Sequence, residues 1–133
     1  MRRDEMKRTD KPWGYELIWA KSSKKTGYIG KILFIKAGSK LSMQYHEEKE
    51  ETIIVTKGIL YIQTYGSIKD ELELHKLKNT TPKIIRLNPG ETFHVKPFVT
   101  HRFIANETNV ELIEVSTHQL DDVVRIFDDY GRA

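Results

Sequence analysis

The stretch GSKLSMQYHEEKEETIIVTKG, residues 38–58, decides how the chain reads. Glycines bracket it, and between them polar and apolar residues alternate with the period of two that puts every second side chain on one face of a β-strand. In that register Gln44 and His46 point to one side while Met43 and Tyr45 face away. A turn through Glu47, Glu48, Lys49 and Glu50 brings the chain back. Glu51 opens the next strand, and Gly58 ends it with a tight hairpin into Ile59.

Outward from this stretch the same short runs recur: YELIW (15–19), IGKILFIK (29–36), LSMQYH (41–46), TIIVTK (52–57), ILYIQTY (59–65), ELELHKL (71–77), KIIRL (83–87), ETFHV (91–95), HRFIA (101–105) and VELIEVS (110–116). They mix β-branched or aromatic residues with polar partners. Gly38, Gly58, Gly66, the NTTP stretch, Asn88 to Gly90 and Asn106 to Asn109 supply the turns between them. Strands at this spacing, without helical patterns between them, predict an all-β antiparallel sandwich or barrel. In the tail, DDVVRIFDDYGR is the one place with a helical turn in prospect. Residues 1–11, charged and poor in apolar side chains, are expected as a flexible arm, and 12–133 as a single domain.

Composition narrows the function. A chain of 133 residues, 38% hydrophobic and 31% charged, fits one globular domain. The lack of cysteine excludes a disulfide scaffold, a thiolate metal site and a thiol nucleophile. No apolar run approaches the roughly 20 residues that span a bilayer, and no apolar segment follows the basic N-terminus, so a cytoplasmic protein is expected. Twenty-two basic against 19 acidic residues leave a net charge of +3 with no long block of Lys or Arg. That balance permits an anionic small molecule and speaks against nucleic acid.

The spacing in 38–58 also suits a metal. Gln44 and His46, two apart on a strand, converge inside a barrel, Glu51 can offer an oxygen to the same point from the next strand, and His101 can add a second imidazole from far along the chain. One amide oxygen, two imidazoles and a carboxylate suit Zn²⁺, Mn²⁺, Fe²⁺, Co²⁺ or Ni²⁺ and leave positions open for water or substrate. His75, His94 and His118 read as surface or satisfied residues, and Glu47, Glu48 and Glu50 as a solvated turn.

Residues 38–58 follow the first cupin motif and Gly90 to Asn106 resembles the second. KPWGYELIW (11–19), GSKLSMQYHEEKEE (38–51), HRF (101–103), LIEV (112–115) and LDDVVRIFDDYGR (120–132) are further similar to the C-terminal cupin domain of type II mannose-6-phosphate isomerases. The resemblance runs from Lys11 to Arg132. It implies a double-stranded β-helix, or jelly-roll barrel, with a short helical or extended C-terminal tail. It also implies Gln44, His46, Glu51 and His101 as ligands, with zinc as the first expectation for the metal because the related type I isomerases hold zinc with the same set. In that family a guanylyltransferase domain usually precedes this one, and its activity is not expected of this chain. The sequence departs from the type II pattern at Lys49, where Arg is usual, and at Thr52, where His usually follows the ligand Glu.

What the resemblance implies chemically is the interconversion of mannose 6-phosphate and fructose 6-phosphate through an enediol. Lys49, its pKa lowered near the cation, is then the leading base or acid. Arg125 and Arg132 are expected to clamp the phosphate if the tail folds back over the barrel mouth. Arg102, next to His101 on a strand, should point to the opposite face and be structural. The rival readings are a metal-cupin that binds a sugar phosphate or other small anion without turning it over, and a metal-cupin enzyme of different chemistry. Exposed edge strands and the N-terminal arm lead to the expectation of a homodimer.

Overall fold

The computed structural model describes residues 6–69, 71–127 and 129. Among the described residues twelve strands build two antiparallel sheets. The first sheet runs, in spatial order, β1 (Lys7–Lys11), β2 (Gly14–Lys21), β3 (Tyr28–Ile35), β11 (Val110–Thr117), β6 (Glu51–Lys57) and β9 (Thr92–Val95). The second runs β12 (Val124–Phe127), β5 (Met43–Tyr45), β10 (Val99–Ala105), β7 (Leu60–Ser67) and β8 (Lys83–Leu87), with the two-residue β4 (Ser39–Lys40) also paired to β10. This is the antiparallel sandwich expected from the strand spacing, in the jelly-roll form that the resemblance implies. Among the described residues no helix is long and apolar enough to cross a membrane.

Strand phase fixes what lies between the sheets. Glu51, Ile53 and Val55 of β6 turn inward, as do Val110, Leu112, Glu114 and Ser116 of β11 and Ile29, Lys31, Leu33 and Ile35 of β3. Register lines these residues up across the sheet: Leu112 lies opposite Leu33 and Val55, and Glu114 opposite Lys31 and Ile53. The interior therefore changes character along the strands. At one end Leu33, Ile35, Val55, Leu60, Ile62, Phe103, Ala105, Val110 and Leu112 pack into the apolar core. One row further the inward positions carry Lys31 and Glu114 beside Ile53, and the row after that carries Ser116 and Glu51. Gly58 closes the hairpin at the apolar end with φ +79°, and a Cβ there would sit 2.0 Å from the Asn109 carbonyl oxygen.

Two local expectations differ from the structure, and a third is narrowed by it. ELELHKL is not a strand: Glu71–Lys76 forms α1, followed by a 3-10 turn at Leu77–Asn79. Glu, Leu and Lys are strong helix formers and the segment has no β-branched residue, so propensity outweighs the alternating pattern. The tail takes the extended of its two expected forms, because Val124 and Ile126 favour a strand and β12 pairs with β5. Lys7–Lys11, read as part of a flexible arm, pairs with β2 over its whole length. Arg8 reaches across to β2, with its guanidinium 4.0 Å from the Tyr15 ring centre.

Candidate metal centre

Three of the four expected ligands meet. His46 follows β5, Glu51 opens β6, and His101 lies in β10. Their ligating atoms fall within 4.8 Å of one another, and all three side chains are buried. His46 Nδ1 contacts the Asp122 carbonyl oxygen at 2.5 Å, and His101 Nδ1 contacts that of Val99 at 2.9 Å. A carbonyl can only accept, so both rings carry their proton on Nδ1 and aim Nε2 at Glu51, whose Oε1 lies 3.4 Å from His46 Nε2 and 3.3 Å from His101 Nε2. Both Nε2 atoms are buried without a hydrogen-bond partner. Two ring nitrogens and a carboxylate oxygen brought this close call for a cation among them. An N/N/O donor set without sulfur suits a borderline divalent metal, and carbonyls that fix the tautomer of each ring are the usual outer support of such a site. The residues thus fit a metal ion.

Gln44, the fourth expected ligand, lies opposite His101 in the β5–β10 pairing and lines the same cavity. Its Oε1 accepts a hydrogen bond from Ser42 at 3.2 Å.

Lys49 is not an exposed turn residue: it is 6% accessible and points inward. Its Nζ sits 3.3 Å from Glu114 Oε2 and 3.6 Å from Glu51 Oε2. Burial works to lower its pKa, but the charges of Glu114 and Glu51 prevail and hold it above the usual lysine value. The lowered pKa expected of a lysine base is therefore not what the structure gives, since two carboxylates keep the proton on. Burial also works to raise Glu51, yet a hydrogen bond with Glu114 and the charge of Lys49 hold it well below the carboxylate range. Glu114 goes the other way. Burial and the adjacent Glu51 push it up to about 8, against the pull of Lys49 and Lys31.

Gln44, His46, Lys49, Glu51 and Glu114 open onto a cavity of about 290 Å³ between the sheets. Lys7 and Lys11 from the edge strand β1, and Asp121 and Arg125 from the tail and β12, also line it. Five cations (Lys7, Lys11, Lys31, Lys49 and Arg125) face three carboxylates (Glu16, Glu51 and Asp121) and Glu114, which at about 8 is mostly protonated at neutral pH, so the balance is positive before any metal is counted. Lys31 pairs with Glu16 at 3.5 Å. Arg125 thus stands in the cavity wall, as its expected role requires; Arg132 lies outside the described residues.

Arg102 is structural as expected. Its guanidinium donates to the carbonyls of Leu41 (2.8 Å) and Phe127 (3.4 Å) and to Asp129 Oδ1 (3.2 Å), tying the tail to the barrel. Thr52 lies on the outer face, where it contacts His94 Nδ1 at 2.7 Å while His94 Nε2 contacts Glu50 at 2.5 Å. The departure from the type II pattern at Thr52 therefore does not reach the cavity.

Sequence reading passed over Glu16, Lys31, Glu114 and Asp122. A signal for two of them was present. Lys31 is in phase with Leu33 and Ile35, and Glu114 with Val110 and Leu112, so any register that buries those apolar residues also buries the charges. Asp122 carries no such signal, because its role depends on where the tail lands.

A family model described as D-lyxose isomerase matches residues 17–132, so the chain belongs to that family. No curated protein matches. The capsular polysaccharide assembling protein CapF from Staphylococcus aureus superposes with a TM-score of 0.73 at 13% identity, over 92% of this chain and 32% of its own. KdgF from Halomonas sp. gives 0.67 at 17% identity, covering 90% of this chain and 93% of its own. A recombinant oxalate oxidase in complex with glycolate gives 0.58 at 20% identity, over 75% of this chain and 46% of its own. The chain thus spans about a third of the length of CapF. At these identities the likeness establishes the cupin fold.

Proposed function

We propose that this member of the D-lyxose isomerase family is a metal-dependent aldose–ketose isomerase acting on a sugar that carries a negative charge. Its carrying observation is the convergence of His46, Glu51 and His101, the first two of which line a cavity together with Lys49 and Glu114. Gln44 would complete the ligand set, and zinc remains the first metal to test. A divalent ion held there supplies Lewis acidity toward the adjacent carbonyl and hydroxyl oxygens of an open-chain sugar.

The chain's own residues have separate tasks. Lys49, kept protonated by two carboxylates, donates to oxygen as the enediolate forms. Glu114, poised to titrate near neutrality, takes the proton from one carbon and returns it to its neighbour. Lys7, Lys11 and Arg125 would receive the charged end of the substrate. The cavity's positive balance supports a phosphorylated sugar over a neutral pentose, and the resemblance to mannose-6-phosphate isomerases makes mannose 6-phosphate the specific substrate to test. A cavity of this size suits a small ligand.

The test is proton exchange in D₂O with protein loaded separately with Zn²⁺, Mn²⁺, Fe²⁺, Co²⁺ or Ni²⁺, followed by NMR with mannose 6-phosphate, D-mannose and D-lyxose. Deuterium at C2 and a ketose product are expected, fastest with the phosphorylated sugar. No exchange with any metal would refute the reading; tight binding by calorimetry beside null exchange would instead support the binding-only alternative. That alternative draws on the pairing of Lys49 to two carboxylates. A homodimer, the expected assembly, is supported by an outer face of the first sheet that exposes Tyr28, Ile54 and Val115, and sedimentation tests it.

A further inference from the structure

Asp122 sits in the segment that leads into β12, between the cavity-lining residues Asp121 and Val123. Its carboxylate accepts three consecutive backbone N–H groups from the turn after His46: Oδ1 from Glu47 at 3.1 Å, and Oδ2 from Glu48 at 2.7 Å and Lys49 at 2.8 Å. Its main-chain carbonyl accepts the Nδ1 proton of His46 at 2.5 Å. One residue far along the chain therefore grips a metal-site histidine through its backbone and the turn joining that histidine to Lys49 and Glu51 through its side chain.

The turn is acidic, with Glu47, Glu48 and Glu50 all exposed, so a fourth carboxylate laid against it meets repulsion. The three aligned N–H dipoles overcome that repulsion. Water could satisfy the exposed N–H groups of Glu47 and Glu48 equally well, so capping those two contributes little to stability as such. Its consequence is geometric, because it fixes one conformation of the four residues that separate His46 from Glu51.

We propose that Asp122 is a positioning residue that sets the turn 47–50, holding His46 Nε2, Glu51 Oε1 and Lys49 Nζ in mutual register and coupling the C-terminal segment to the metal centre. This rests on the metal reading of His46, Glu51 and His101, and not on the isomerase reading.

Co²⁺ serves as the probe, because its visible absorption reports both affinity and ligand geometry. Asp122→Ala is expected to weaken Co²⁺ binding by about 10–100-fold and to shift the visible bands, as loss of an outer-shell partner does. Asp122→Asn keeps an amide oxygen as acceptor and should fall between it and the parent. Thr56→Val is the control: it removes hydrogen bonds to Glu111 at the other end of β6, so it should lower the unfolding midpoint of metal-free protein while leaving affinity and bands in place. Parent-like affinity and bands in both Asp122 variants would overturn the proposal, as would Thr56→Val shifting them equally. If Asp122→Ala does not fold, the comparison of Asp122→Asn with the parent decides. A parent that binds no Co²⁺ removes the metal reading and this proposal with it. A parent that binds Co²⁺ but isomerises no sugar removes only the enzymatic reading.

Discussion

Replacing Lys49 by Met puts the buried charge network to a quantitative test. Nζ lies 3.3 Å from Glu114 Oε2 and 3.6 Å from Glu51 Oε2. At an effective dielectric of about 20 each contact represents about 5 kcal/mol of gross attraction. Desolvation of the ammonium offsets much of that, and breaking a buried pair costs about 3–5 kcal/mol net. Part of the loss is recoverable, because Glu114 can keep its proton. Its folded pKa, already about 8, must rise further once the lysine is gone. Between the unfolded value and the folded one the native state binds more protons than the unfolded state, so stability falls as pH rises, by up to about 1.4 kcal/mol per unit. In the parent that fall ends near pH 8. In Lys49→Met it continues, so the deficit at pH 9.5 should exceed that at pH 6 by about 1–2 kcal/mol. Urea unfolding of chelator-treated protein at the two pH values measures both numbers. The double variant Lys49→Met/Glu114→Gln should lose the extra pH dependence. A deficit below about 1 kcal/mol that is equal at both pH values would refute the buried pairing.

His46→Ala and His101→Ala should each abolish stoichiometric metal by elemental analysis while keeping the β-sheet circular dichroism spectrum, and metal retained in both would place the site elsewhere. Glu114→Gln should lower isomerisation by about 10²–10⁴-fold with the metal content unchanged, and a loss under tenfold would leave the proton transfer to another group. In metal-free protein the same variant should gain stability over the parent at pH 9 but not at pH 5, because it removes a carboxylate that is costly only when ionised. Gly38→Ala and Gly58→Ala separate backbone strain from collision. Both positions have positive φ, but a Cβ at Gly38 meets nothing within 4 Å while at Gly58 it meets the Asn109 carbonyl. Chemical denaturation should show a loss of about 1 kcal/mol for Gly38→Ala and about 2–5 kcal/mol for Gly58→Ala, and equal losses would contradict the packing at the hairpin.

Legibility followed how local the determining physics is. β8 was readable to the residue, because KIIRL combines β-branched residues with a turn at each end, and its bounds in the structure are Lys83–Leu87. The strand pair around His46 and Glu51 was readable because the side-chain period fixes which residues share a face. His101 was found by its chemistry, and the fold supplied what no spacing could, the approach of β10 to β5 that brings it to the other two. ELELHKL misled because alternation of Glu and Leu satisfies the strand template while the residues themselves favour helix. Lys7–Lys11 misled because its pairing comes from backbone hydrogen bonds with β2, which composition does not report. Asp122 and Arg102 act through long-range contacts to the turn and tail, and such contacts exist only once both sheets are in place.

The division of the barrel interior bears on why the charges are there at all. On β3 and β11 the inward row at Leu33 and Leu112 is apolar, and the next holds Lys31 and Glu114 on the same faces of the same strands. A sheet selected for stability alone would continue the row with leucine or isoleucine, since replacing buried ion pairs by hydrophobic residues is often neutral or stabilising. Glu114 and Lys49 instead remain buried next to Glu51, with Glu114 raised to about 8 by that burial. Interior charges beside a cavity, one of them shifted toward neutrality, are the arrangement proton-transfer chemistry requires. The apolar end, with Leu60, Ile62, Ala105, Val110 and Leu112 fully buried, holds the sandwich together, so the polar end can keep groups that cost stability.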